Sequence, residues 1–126
     1  MRYSQLTITS TAEWAEVNDQ FLTADRRYRD PADWWARITV QESSGYTLLR
    51  SHQRGDHLMS RGRSHIRDGP TEYCWMVLPR RGEWLIQQPD RLTRVTAPRG
   101  FVLDPDQVCR ILLPGSTAYA LLLPRA

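Results

Sequence analysis

The hydrophobic pattern changes period once along this chain. In "STAEWAEVNDQF", Ser10 to Phe21, the apolar residues Trp14, Val17 and Phe21 recur at i, i+3 and i+7, which predicts a helix with one apolar face. Ser10 and Glu13 have the spacing of a capping box at its start. The next stretch, "ADRRYRDPADWW", is charged and broken by Pro31, and reads as a connector. From Trp34 the period becomes two: Trp34, Ala36, Ile38 and Val40 alternate with Trp35, Arg37, Thr39 and Gln41, as in a strand. "SSG" then turns the chain into a second strand, Tyr46 to Arg50. "SHQRGDHLMSRGRSHIRDGP" is polar and glycine-punctuated and reads as a long loop, with short strands conceivable at His57 to Ser60 or Ser64 to Ile66. Six further strands are predicted: Thr71 to Leu78, Glu83 to Gln88, Arg91 to Val95, Phe101 to Asp104, Val108 to Leu113 and Tyr119 to Leu123. The turns "PRRG", "PD", "APRG", "DPDQ" and "PGST" separate them. Short strands in this close order imply a mainly β fold, an antiparallel barrel or sandwich with an N-terminal α-helix. Strands and helices do not alternate, which excludes a nucleotide-binding α/β fold.

Length and composition narrow the class. The 126 residues make one compact domain, with 1–33 as helix and connector and 34–126 as the β domain. Hydrophobic residues are 40% and charged residues 25%, ordinary for a globular protein. The net charge of +3, all of its basic side chains arginine, is too small an excess to make a nucleic-acid binder by itself. Met1 to Ser10 has no apolar signal core and no run approaches a membrane span, so a cytoplasmic protein without membrane contact is expected. Cys74 and Cys109 stand far apart in apolar stretches and read as free buried thiols.

The residues offer little catalytic chemistry. His52, His57 and His65 are spaced so that no two imidazoles share a face of one strand or helix, so no metal site is expected. No nucleophile elbow and no phosphate-cradling glycine loop occur. Asp104 and Asp106 flank Pro105 as turn residues. No catalytic residue, no cofactor and no enzyme activity are expected. Arg50, Arg54, Arg61, Arg63 and Arg67 crowd one stretch, diluted by Asp56 and Asp68, and read as a solvated loop. The aromatic strands are the stronger clue. Tyr73 and Trp75 share a face with Val77, and Trp84 on the next strand sits beside them. Such rings either fill a core or line an apolar pocket, with Arg50, His52 or Arg110 as polar anchors. Tyr73, Trp75 and Trp84 are taken as candidate walls and Arg50 and His52 as candidate anchors.

From Trp35 onward the chain resembles the N-terminal regulatory domain of AraC/XylS-type transcription regulators. "ITVQESSGYTLLRS" is similar to that family's opening strand pair, "EYCWMVLPRRGEWLIQQPDR" to its aromatic strand, glycine turn and Gln-ended strand, "VTAPRGFVLDPDQ" to its Pro/Gly turn and Asp-ended strand, and "YALLLPRA" to its closing strand. The resemblance implies a cupin-like β-barrel that senses a small-molecule effector or mediates dimerisation. The intact regulator is then a homodimer that reaches DNA only through a C-terminal helix-turn-helix domain. Here the strand halts at Pro124, and Arg125 and Ala126 read as the first step of a helix, which makes this the sensing half alone. The sequence departs from the family at "APRG" and at "DQV", and it lacks the close histidine pair of metal-binding cupins. A free-standing cupin-like binding protein or enzyme, and an interaction module with a filled barrel, are the alternative readings.

Overall fold

A computed structural model describes residues 2–69 and 72–124. Its elements run β1 (Arg2–Ile8), α1 (Thr11–Asp19), β2 (Asp25–Tyr28), a 3-10 turn (Pro31–Asp33), β3 (Trp35–Glu42), β4 (Thr47–Arg54), β5 (His57–Arg61), α2 (Arg63–Asp68), β6 (Tyr73–Pro79), β7 (Trp84–Gln88), β8 (Arg91–Val95), β9 (Phe101–Leu103), β10 (Cys109–Leu113) and β11 (Thr117–Pro124). Six strands form one sheet in the order β1-β3-β4-β11-β6-β9, and five form a second in the order β2-β5-β10-β7-β8. The two sheets pack as a sandwich and do not close into a barrel. The mainly β architecture with an N-terminal helix is the one the sequence predicts.

The strands sort their residues by the pleat. Ala36, Ile38, Leu49, Trp75, Val77, Ala118 and Leu122 are buried on the inner face of the first sheet. Met59, Trp84, Ile86, Ile111 and Leu113 answer them from the second. Each lies two residues from its inward neighbour, the period a strand imposes. At the β6–β7 turn Gly82 holds φ +83°, where a Cβ would meet Pro114 Cγ at 2.6 Å, so glycine alone fits. The helix α1 starts where expected: the Ser10 hydroxyl accepts from the Glu13 amide at 3.4 Å. Trp14 is its buried residue, with Val17 and Phe21 packed against the same core.

Four segments differ from the expectation. β1 was not foreseen; it pairs along its length with β3, from Arg2 opposite Glu42 to Ile8 opposite Ala36. It is an edge strand with only Ile8 buried, so it carries no hydrophobic alternation to read. β2 falls in the supposed connector and pairs with β5, Tyr28 opposite His57. The first 33 residues therefore contribute a strand to each sheet as well as the helix. The supposed loop after Arg50 is ordered: β4 runs on to Arg54, β5 follows, and Ser64 to Ile66 lie in α2 rather than in a strand. The strand expected from Thr71 is described from Tyr73; Thr71, like Arg125 and Ala126, lies outside the described residues.

A buried arginine joins these late-found pieces. Arg61, 2% exposed at the end of β5, donates from Nε and Nη2 to the Pro105 carbonyl (3.1 and 2.9 Å) and from Nη1 to the Thr23 carbonyl at 2.6 Å. One guanidinium thus ties the loop after α1 to the loop before β10. Arg61 was read as part of a solvated loop, but its fork matches carbonyls that have no strand partner. Arg61→Met keeps most of the volume and strands both carbonyls; a loss of about 2 kcal/mol in urea unfolding is expected, and a loss under about 0.5 kcal/mol contradicts the bracing role.

A second buried titratable group, His57, stacks on Tyr28 (centroids 5.0 Å apart) and meets Trp34 edge-on at 6.5 Å. Burial lowers its pKa from 6.5 to about 4, Arg26 adds to the shift and Asp56 opposes it. The folded protein therefore holds His57 neutral at pH 7, and below pH 6.5 the unfolded chain takes up the proton first. Stability should fall as pH drops from 6.5 to 4, by about 3 kcal/mol from this group. Chemical unfolding of the protein and of His57→Phe across pH 4 to 7 measures it, the variant showing the shallower fall; parallel curves contradict it.

Candidate functional site

Between the sheets lies a cavity of about 90 Å³. Trp75 on β6 and Trp84 on β7 reach it from opposite sheets. Their inward direction follows from the alternation read in the sequence. Tyr73 keeps the same face but sits farther along β6, where it meets Phe21 edge to face at 5.7 Å and does not line the cavity. Arg50 and His52 lie on the other side of the sheet. On β4 the inward residues are Leu49 and Gln53, so Arg50 and His52 point to solvent. Arg110 on β10 faces outward by the same rule, between buried Cys109 and Ile111. The structure brings together two of the five candidates and sends the two polar ones to the outer face.

Two polar residues of the cavity come from the stretch that reads as a long loop. Gln53 and His57 line it, 5% and 3% exposed. Gln53 Oε1, His57 Nδ1, Trp75 Nε1 and Trp84 Nε1 are all buried without a hydrogen-bond partner among the described residues. Two of these are obligate N–H donors, one an acceptor, and the neutral imidazole offers Nδ1 in either role according to its tautomer. Buried polar atoms are nearly always satisfied, so four partnerless ones on residues that line one cavity stand out. Arg26 also lines the cavity, but its guanidinium is held by Asp19 at 3.0 Å and by the Leu22 carbonyl at 3.3 Å.

Trp14 and Asn18 of α1, with Leu22 just after it, form the cavity wall supplied by the N-terminal segment. Among the described residues no carboxylate and no thiol lines the cavity. Cys109 is buried on β10 outside the cavity lining, its thiol pushed up to about 11 by burial despite the Arg61 charge. The histidines are scattered: His52 outside, His57 inside, and His65 in α2, where its Nδ1 accepts from the Gly62 amide at 2.9 Å. No three metal-ligating side chains converge among the described residues. None of the described helices is long and apolar enough to cross a membrane.

No protein-family model matches the chain, and no curated protein matches it significantly. Solved structures do. The AraC-like transcriptional activator CuxR matches 96% of the chain with a TM-score of 0.82 at 16% sequence identity, and the chain spans 47% of that protein's length. KdgF from Halomonas sp. matches 84% of the chain and 95% of its own, with a TM-score of 0.56 at 12% identity. Rru_A2000 from Rhodospirillum rubrum, a cupin-2 domain, matches 82% of the chain and 70% of its own, with a TM-score of 0.50 at 9% identity. At such identities the likeness is one of fold, and the fold is a cupin-like sandwich.

Proposed function

We propose that this chain is the effector-sensing regulatory domain of an AraC-type transcription regulator. The carrying observation is the interior cavity whose lining includes four residues, Gln53, His57, Trp75 and Trp84, each with a buried polar atom that has no partner among the described residues. The likeness to CuxR over about half of that protein's length supports the regulatory reading, since the sandwich corresponds to part of a longer activator. In this reading the intact protein is a cytoplasmic homodimer, and DNA is contacted by a further domain. Binding is favoured over catalysis because no carboxylate or thiol among the described residues meets the cavity.

The effector's chemistry follows from the walls. Two indole N–H groups call for an acceptor such as a carbonyl, and Gln53 Oε1 accepts a hydroxyl or amide N–H in return. Neutral His57 and the paired Arg26 leave no free charge there, which favours an uncharged ligand. At about 90 Å³ the cavity is smaller than the ~150 Å³ that admits benzene. A larger effector displaces the α1 wall, and that displacement is the signal: ligand stabilises the open arrangement by its differential affinity.

A thermal-shift screen of small neutral carbonyl and hydroxyl compounds tests this. A ligand that raises the melting temperature is expected, with affinity about tenfold weaker for Trp75→Phe and Trp84→Phe, which keep an aromatic side chain but lose the donor and part of the wall. A screen without hits, or hits that bind both variants as tightly as the parent, overturns the sensing role.

A further inference from the structure

The outer face of the six-stranded sheet carries a second candidate site, independent of the cavity. By register, Gln5, Thr39 and Arg50 form one row across β1, β3 and β4. Arg37, His52 and Thr117 form the row beside it. These six, with the exposed Tyr3, line a groove of about 360 Å³ that no carboxylate enters among the described residues.

Its arginines are held but not neutralised. Arg37 lies over the Trp35 ring, 6.0 Å from the centroid, while Arg50 and the neighbouring Arg80 lie 5.8 and 5.7 Å from the Tyr119 centroid. Elsewhere Arg26, Arg29, Arg54 and Arg67 each have an aspartate partner. Arg37, Arg50 and Arg80 have none among the described residues; their contacts are with the rings. Stacking fixes guanidinium planes at little entropic cost and leaves their N–H edges unused. Three uncompensated cations on one face also repel, and an anion between them relieves that repulsion.

We propose that this groove binds a phosphate-bearing small molecule. Arginine forks match phosphate oxygens bidentately. The Thr39 hydroxyl and the Gln5 amide add neutral donors in the same groove. His52 Nδ1 lies 2.8 Å from Thr117 Oγ1; when it accepts that hydroxyl proton, Nε2–H is free to donate as well. The anion is small rather than a nucleic-acid strand, because the basic groove does not continue across the sheet. Beyond Tyr119 the same face turns apolar at Leu78, Met76 and Val102, 43%, 41% and 57% exposed, which gives a polyanion no further phosphate contacts.

Isothermal titration with sodium pyrophosphate, in phosphate-free buffer with ionic strength matched by sodium chloride, is the test. Saturable one-site binding is expected, weakened about tenfold or more in Arg37→Ala and in Arg50→Ala. Both side chains are exposed, so both variants should melt as the parent does. Arg99→Ala, an exposed arginine outside the groove, should bind as the parent. A ten-residue oligothymidylate should bind more weakly than pyrophosphate. No saturable binding, equal affinity in Arg37→Ala and Arg50→Ala, or tighter binding of the oligonucleotide would each overturn the assignment.

Discussion

The two-residue alternation of the antiparallel strands governs everything else in this molecule. A strand cannot turn one side chain inward without turning its neighbours outward. β4 shows the consequence most clearly. Leu49 and Gln53 face the cavity while Arg50 and His52 face solvent, so one backbone furnishes both the neutral interior and the charged exterior. β11 repeats the arrangement, with Ala118 and Leu122 inside and Thr117 and Tyr119 on the outer face. A register slip by one residue would exchange the two environments, and the buried Ile38, Leu49 and Leu122 resist it.

That rule also explains which parts of the fold were legible in the sequence. β3, β6, β7 and β10 announce themselves because their inward positions are apolar: Ile38, Trp75, Trp84 and Ile111. β1 escapes because an edge strand with one buried residue has nothing to alternate. The end of β4 escapes, and β5 shows only as a conceivable short strand at His57 to Ser60, for a more informative reason. Their inward residues are Ser51, Gln53 and His57, so polar side chains occupy both faces and the segment reads as loop. The same residues supply the cavity's polar groups. Pattern reading fails where the interior is polar by design, and such failures are expected at functional sites.

The candidate site divides along the same line. Trp75 and Trp84 were recoverable from alternation and aromatic content. The outward direction of Arg50 was also recoverable, by counting one residue on from Leu49. The pairing of Gln53 and His57 with the tryptophans was not, because it depends on four strands of two sheets meeting. Nor could sequence show that Arg61 is buried, since its partners are backbone carbonyls 38 and 44 residues away.

The central claim is that Trp75 and Trp84 present their indole N–H groups to an occupant of the interior. The most direct measurement is nitrogen-15 NMR of the five indole Nε1–H resonances during titration with a compound that raises the melting temperature. The account predicts that the Trp75 and Trp84 signals move together and saturate, while Trp35, set beside His52 on the outer face at a ring distance of 5.4 Å, stays in place. Saturating binding that leaves Trp75 and Trp84 unmoved, or that moves Trp35 alone, would contradict it.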